Sequence, residues 1–136
     1  MDGNLLLLTD GLHVGFFSYG YSLLEPVQMV ENIRLASLMD IGLMKLDAVI
    51  GRGSRKDFFD LYVITRRIPL PELLQAGEHK YPQVRDFQLM SLEALLQFDN
   101  ADRDHQPDML ADLSWENVRL YFVEQGKLLG ADWFKR

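Results

Sequence analysis

The sequence contains no cysteine, which excludes disulfides, cysteine-ligated metals and thiol nucleophiles and fits a cytoplasmic protein. It also lacks the run of about 18 apolar residues that a membrane-spanning helix needs. The first four residues lack the basic leader of a secretory signal. The chain has few positively charged residues: it contains 14 Lys and Arg residues but 20 Asp and Glu residues, so its net charge is −6. An acidic chain of this kind binds nucleic acids poorly unless a basic patch is concentrated at one place.

The composition that remains is that of a folded protein. With 136 residues, of which 48% are apolar and 25% charged, the chain is long enough for one domain with its own core. We predict a single α+β domain over residues 1–136, with a β portion at 1–36 and a helical portion at 37–136.

The β portion is predicted from short apolar runs and one turn. Residues 5–8 form an apolar run short enough for a buried strand, and Asp10-Gly11 is a strong hairpin signal. Residues 12–19 then supply the second strand, and residues 33–36 a third. A sheet this small must pack on helices or on a partner.

The helical portion is predicted to be a bundle of about five helices. Ser37 and Ser54 each stand three residues before an aspartate, the spacing of a capping box, and Ser114 offers a third N-cap. Glycine and proline separate the first three helices. The predicted helices cover residues 37–50, 54–67, 72–79, 84–98 and 115–125, with a polar loop over 99–107.

Lys45 is the first candidate functional residue. On a helical wheel Asp40 and Asp47 share one side, which predicts the solvent-exposed stripe, whereas Lys45 falls on the opposite side among apolar residues. A lysine in that position either extends its amine to solvent, forms a structural ion pair or binds an anion.

The next predicted helix offers partners for this lysine. Asp57 and Asp60 are three residues apart and share a face, and the connecting turn is short, so Lys45 can reach one of them. Asp57 also lies in the first helical turn, where the helix dipole favours an anion, so an ordinary role at the helix terminus is equally open.

The turn between the two helices is basic. Arg52, Ser54, Arg55 and Lys56 place three cations and a hydroxyl before a helix N-terminus, an arrangement that can cradle a phosphate. The pattern is not a P-loop, because Gly-x-x-x-x-Gly-Lys-Ser/Thr is absent. A solvated basic turn is the alternative interpretation.

No metal site and no catalytic residue is predicted from spacing. The aspartates around His105 lack the glycine and the terminal glutamate of an EF-hand loop, and the three histidines lack zinc-binding spacing. Trp133 and Phe134 near the C-terminus would mark a contact surface if they are exposed.

Two adjoining motifs carry a resemblance to a known family. Residues 44–48 read Met-Lys-Leu-Asp-Ala, and residues 52–62 read Arg-Gly-Ser-Arg-Lys-Asp-Phe-Phe-Asp-Leu-Tyr. In combination they resemble the AbiEii/AbiGii-type nucleotidyltransferase family, which comprises toxins of abortive-infection toxin–antitoxin systems and their relatives. The similarity extends over residues 11–122.

The resemblance implies the C-terminal half of a nucleotidyltransferase-like fold, acting on a nucleoside triphosphate with Mg²⁺. It places Lys45, Arg52, Lys56, Asp57 and Asp60 in motifs that hold the nucleotide or shape its site. The family's glycine-containing motif and its pair of metal-binding strand carboxylates have no match in this sequence. We therefore expect the chain to be catalytically incomplete alone. It would need a catalytic half from another chain or a longer gene product, and an antitoxin protein is a further implied partner.

A second hypothesis is a non-enzymatic interaction module that self-associates or binds a partner, because a truncated sheet exposes an edge and a face. An open basic pocket at Lys45 would favour nucleotide binding, whereas a closed Lys–Asp pair would favour the module. RNA binding is the third and weakest hypothesis, since only the basic clusters at residues 52–56 and 66–67 offset the net charge of −6.

Overall fold

A computed structural model describes residues 4–109 and 111–135 and has the predicted α+β class. Two small antiparallel hairpins come first, and helices follow to the end of the described chain. The strands are β1 (Leu5–Thr9), β2 (Leu12–Phe16), β3 (Gln28–Val30) and β4 (Ile33–Leu35). The helices are α1 (Leu38–Gly51), α2 (Arg55–Thr65), α3 (Leu70–Lys80), α4 (Phe87–Ala94), α5 (Asp99–Arg103) and α6 (Trp115–Phe134).

The first hairpin confirms the turn signal. Asp10 and Gly11 have φ values of 51° and 79°, so both central residues adopt the positive φ that a type I′ turn requires. β2 ends at Phe16, short of the predicted residue 19, because its ladder partner Leu5 is the first residue of β1.

The second hairpin contains a strand that the sequence reading missed. β3 pairs with β4 in antiparallel register, with Val30 opposite Ile33. Glu31 and Asn32 between them have φ values of 49° and 67°. Asparagine tolerates this conformation well, so Asn32 was the available turn signal.

The prediction that residues 5–8 form a buried strand is wrong. Leu6 and Leu8 are 82% and 67% exposed, and every residue of β1 is exposed. The two hairpins are separate two-stranded sheets and share no ladder. The buried apolar residues instead belong to α1–α6 and the segments that join them.

The helices follow the predicted order but differ at several ends. α6 continues nine residues past the predicted end at 125, because Gly126 is buried inside the helix and does not terminate it. A Cβ on Gly126 would lie 2.7 Å from Cδ2 of Leu96, so glycine allows α6 to approach the turn that follows α4 closely. The predicted loop over 99–107 begins with the short helix α5.

Two predicted N-caps form as the Ser-x-x-Asp spacing requires. Ser37 accepts a hydrogen bond from the backbone N–H of Asp40, and Ser54 accepts one from that of Asp57. In each case the serine hydroxyl also donates to the carboxylate of the same aspartate. Both aspartates are fully buried. None of the helices in the described ranges combines the length and apolar character needed to cross a membrane.

Candidate functional site

Lys45 forms the ion pair that its wheel position suggested. Its Nζ lies 2.8 Å from Oδ2 of Asp60 and 3.7 Å from Oδ1 of Asp57. The Lys45 side chain is 26% exposed and that of Asp60 36%, whereas Asp57 is fully buried. The bridge to Asp60 is therefore a solvent-accessible contact that can open at small cost.

Asp57, in the first turn of α2, anchors the connection between α1 and α2. Its carboxylate accepts a bidentate pair of hydrogen bonds from Arg52, from Nε at 2.7 Å and Nη2 at 2.8 Å. The hydroxyl of Ser54 donates a third bond at 2.6 Å. Burial alone would raise the pKa of Asp57, but these hydrogen bonds and the charges of Arg52 and Lys45 outweigh it and hold the pKa below its ordinary value.

Arg55 makes hydrogen bonds with α5 and with the residue that follows it. Its guanidinium donates from Nε to the carbonyl oxygen of Ala101 at 2.8 Å and from Nη2 to that of Asp102 at 3.1 Å, and its backbone N–H donates to Asp104. The predicted phosphate cradle at the start of α2 is thus occupied by the protein's own carboxylates, Asp104 and Asp57. Lys56 is exposed.

Lys45 and Arg52 also line a cleft. It has a volume of about 500 Å³ and lies between α1 and the segment that follows β2. Phe17 and Tyr19 contribute aromatic rings from that segment. The remaining lining residues are on α1 or at its end: Ile41, Met44, Lys45, Asp47, Ala48, Gly51 and Arg52. Lys45 and Arg52 thus border an aromatic cleft while they hold Asp60 and Asp57.

Asp40 is buried, so the prediction that it faces solvent with Asp47 is wrong for Asp40. Its Oδ1 lies 2.7 Å from Nζ of Lys80, and both side chains are fully buried. The carboxylate also accepts backbone N–H groups of Leu24 and Glu25 at 3.0–3.1 Å. The wheel failed because it describes α1 alone, whereas the loop over residues 22–25 covers this side of the helix. Asp47 is exposed as predicted.

The buried Asp40–Lys80 pair also fixes the aromatic wall of the cleft. Nζ of Lys80 donates to the carbonyl oxygen of Ser22 at 3.0 Å and lies 5.4 Å from the centre of the Tyr19 ring. The hydroxyl of Tyr19 lies 2.7 Å from that of Tyr81, which in turn donates to the carbonyl of Leu43. The pKa of the Tyr81 hydroxyl is raised well above its ordinary value. Burial is the largest cause, and the hydrogen bond with Tyr19 is the second. This cluster could not be predicted from a sequence motif, because its paired residues, Asp40 with Lys80 and Tyr19 with Tyr81, are about 40 to 60 residues apart.

The aspartate-rich segment near α5 makes structural contacts. Asp102 accepts from Nε1 of Trp115 at 2.8 Å and pairs with Arg119 at 3.4 Å. Within residues 4–109 and 111–135, no three His, Asp or Glu side chains converge on a position that would suit a metal ion. Phe134 is 83% exposed at the end of α6, whereas Trp133 is half-buried.

Most of the chain is similar in sequence to a known protein. An uncharacterized protein of Aquifex aeolicus (strain VF5) is 34% identical over 127 residues, which cover 90% of this chain and 60% of that protein. The chain therefore spans less than two thirds of the relative's length. No family model matches the chain. No solved structure matches it either.

The two buried carboxylates predict a loss of stability in acid. Burial opposes ionisation of Asp40, but the bonds from Lys80, Leu24 and Glu25 prevail, so its pKa, like that of Asp57, is lowered on folding. Groups with a lowered pKa stabilise the fold above the unfolded value of about 4 and lose that contribution as the pH falls through the folded value. We expect the urea midpoint to be constant between about pH 7 and 5 and to fall steeply below about pH 4.

The control for this pH dependence is a pair of single variants. Asp57→Asn removes one titrating group and should flatten the acid limb, whereas Asp10→Asn removes an exposed carboxylate in the hairpin turn and should leave its slope unchanged. Equal slopes for the wild type and Asp57→Asn below about pH 4 would contradict the assignment.

Proposed function

We propose that this chain is the nucleotide-side portion of a nucleotidyltransferase of the AbiEii/AbiGii type, and that it binds a nucleoside triphosphate without transferring it. The observation that carries the proposal is the cleft of about 500 Å³, which joins two aromatic rings to two cations. A volume of this size is in the range of small-ligand sites. A cytoplasmic location goes with the proposal, because a chain without cysteine fits that compartment.

The lining residues divide the cleft into two chemical parts. Phe17 and Tyr19 contribute aromatic rings against which a base can pack, and packing of a base on an aromatic ring tolerates any base. Lys45 and Arg52 offer positive charge to the phosphates at the α1 end. The guanidinium of Arg52 donates two hydrogen bonds to Asp57, but the Arg52 side chain is still 66% exposed. Part of the guanidinium is therefore accessible to a ligand.

The partner carboxylates set the affinity. Lys45 can turn towards a phosphate only if it leaves Asp60, and that exchange replaces one anion by a more highly charged one. Asp47 also lines the cleft and adds negative charge beside the lysine. We therefore propose weak binding, in which Asp60 competes with the nucleotide for Lys45.

Mg²⁺ enters the proposal only as the counter-ion of the triphosphate. The described residues, 4–109 and 111–135, offer no group of three acidic or histidine side chains for a resident metal ion. They do not fit a protein-bound Mg²⁺, and no catalytic step is derived through one. The residues proposed for the nucleotide are Lys45 and Arg52, with Ser54, Asp57 and Asp60 as their positioning partners; Arg55 and Lys56 remain predictions from the sequence.

Titration with magnesium nucleoside triphosphates, followed by calorimetry or amide NMR shifts, tests the proposal. We expect saturable binding in the millimolar range or tighter, with shifts centred on Tyr19 and α1. Lys45→Ala should weaken binding at least about tenfold, and Asp60→Asn should strengthen it about threefold because Lys45 is released. Lys127→Ala on α6 removes an exposed lysine elsewhere and should change nothing.

The two variants of the ion pair make the experiment decisive. A structural pair predicts no binding in any variant, whereas a nucleotide site predicts opposite effects of Lys45→Ala and Asp60→Asn. Magnesium-dependent release of pyrophosphate by the chain alone would contradict the proposal that it is catalytically incomplete.

A second candidate function is supported by a different part of the molecule. The hairpins expose large apolar side chains, including Met29 and Ile33 at 61% each, and such patches are typical of interaction surfaces. They favour the non-enzymatic interaction module, whether the partner is a second copy, a catalytic half or an antitoxin. This candidate and the nucleotide site use separate residues and do not exclude each other.

A further inference from the structure

A second cavity lies between α3, α4 and the last turns of α6. Its volume is about 440 Å³, which is in the range of small-ligand sites, and such sites are often found between packed helices. All three helices contribute lining residues, among them Glu78 of α3, Leu92 of α4 and Asp132 of α6. We call it the three-helix pocket. It shares no described lining residue with the nucleotide cleft.

The charged side chains of the three-helix pocket have one sign. Glu78 and Asp132 are carboxylates, and none of the described lining residues is Lys, Arg or His. Both carboxylates belong to the last turn of their helices, where the helix dipole adds negative potential and favours a cation. Lys80, in the same turn of α3 as Glu78, is buried in the core and pairs with Asp40 instead. The pocket therefore favours a positively charged ligand.

The uncharged part of the wall is largely apolar. Gln88 donates from Nε2 to Oε1 of Glu78 at 2.7 Å, a bond that holds this carboxylate towards α4. The large apolar side chains of the wall come from all three helices: Leu74, Leu92, Leu129 and Trp133. A hydrocarbon stem would cover this apolar surface and remove it from water, whereas a bare ion would not.

The carboxylates of the pocket fit an organic cation better than a metal ion. Ca²⁺ takes about six to eight oxygen ligands. Within residues 4–109 and 111–135, no three His, Asp or Glu side chains form a group that could hold a metal. Ammonium groups need less, because each can form a charge-assisted hydrogen bond with a single carboxylate. Two such groups on one stem would balance both Glu78 and Asp132.

We propose that the three-helix pocket binds an aliphatic diammonium compound. One ammonium group pairs with Glu78 and the other with Asp132, while the stem packs on the leucines. Both carboxylates are exposed to solvent, so binding is weak and sensitive to salt. The proposal goes beyond the nucleotide site and uses separate residues, so the failure of one leaves the other standing.

NMR of the full chain during titration with putrescine, a diammonium ion with a four-carbon stem, tests the proposal. The chain has two tryptophans: Trp133 lines the pocket, whereas Nε1 of Trp115 donates to Asp102. We expect the indole signal of Trp133 to shift with saturation and a Kd of about 1 mM at low salt, and that of Trp115 to stay in place. At about 150 mM salt the Kd should rise at least about threefold.

Charge-matched variants separate the pocket from general attraction of cations to an acidic chain. Glu78→Gln and Asp132→Asn each remove one carboxylate of the pocket and should raise the Kd at least about fivefold. Glu72→Gln on α3 and Glu124→Gln on α6 remove exposed carboxylates outside the pocket and should change the Kd less than about twofold. If Glu72→Gln or Glu124→Gln weakens binding as much as the pocket variants do, the assignment to the pocket is wrong.

Two further probes test the roles of the second charge and of the stem. Butylammonium carries one charge on the same stem and should bind at least about fivefold more weakly than putrescine. Mg²⁺ carries two charges without a stem and should leave the Trp133 signal in place at the same concentration. No shift with putrescine up to about 20 mM, an equal shift with Mg²⁺, or equal affinity for butylammonium would each overturn the proposal.

Discussion

Replacing Lys80 with methionine should lower the free energy of unfolding by about 3–5 kcal/mol, the largest loss expected from any single polar substitution here. Asp40 and Lys80 are both fully buried and 2.7 Å apart. Removal of the amine leaves a buried carboxylate with only the N–H groups of Leu24 and Glu25 and the hydroxyl of Ser37 as partners. With typical stabilities of about 5–15 kcal/mol, the variant would approach the unfolding threshold.

Urea unfolding measures this loss, and a double variant isolates its cause. Lys80→Met combined with Asp40→Asn removes the uncompensated charge and should be more stable than Lys80→Met alone. Arg85→Met supplies the matched control: its pair with Asp86 spans 3.9 Å and its side chain is 96% exposed, so we expect a change below about 0.5 kcal/mol. Equal effects of Lys80→Met and Arg85→Met would refute the importance of burial.

Gly77→Ala is the second substitution from which we expect a large loss of stability. Gly77 is buried in α3, where a Cβ would collide with the Phe87 ring: Cε1 is nearest, with Cδ1 at 2.6 Å and Cζ at 2.8 Å. Phe87 is itself 2% exposed and stacks on Tyr81, so the ring cannot move without disturbing the core. Overpacking of this kind costs about 1–3 kcal/mol, and we expect the upper end of that range.

Gly130→Ala tests whether the clash, and not helix propensity, decides this result. Gly130 lies within α6 with open space around its Cα, so alanine there should stabilise the protein by about 0.5–1 kcal/mol. Thermal or urea unfolding of the two variants side by side should give changes of opposite sign. A stabilising Gly77→Ala would mean that α3 and α4 are less closely packed than the structure indicates.

The features that sequence reading identified correctly are those with local causes. The Asp10-Gly11 turn depends on two adjacent residues, and the two serine N-caps depend on a spacing of three. The contact of Lys45 with Asp57 and Asp60 was foreseeable as well, because the connection between α1 and α2 is short and makes the helices neighbours. The fold class followed from these local signals.

The features that were missed depend on distant parts of the chain. Lys80 lies 40 residues from Asp40, and only the packing of α3 on α1 brings them together. The last helix was predicted to end at residue 125, whereas the next residue, Gly126, is required inside α6 by its contact with Leu96, 30 residues earlier. The exposure of β1 could not be predicted either. An apolar run indicates a buried strand, but it does not say which other element of the chain packs against that strand.

The anchoring of the loop over residues 22–25 has a consequence for folding order. The carboxylate that holds this loop belongs to α1 and the amine to α3, so the anchor exists only after those helices have packed. Loop closure over such separations follows local helix formation. The two hairpins should therefore join last, and opening of this anchor should let their amide hydrogens exchange while the helical core stays closed. In that open state the protein would keep its core but lose the aromatic wall of its cleft.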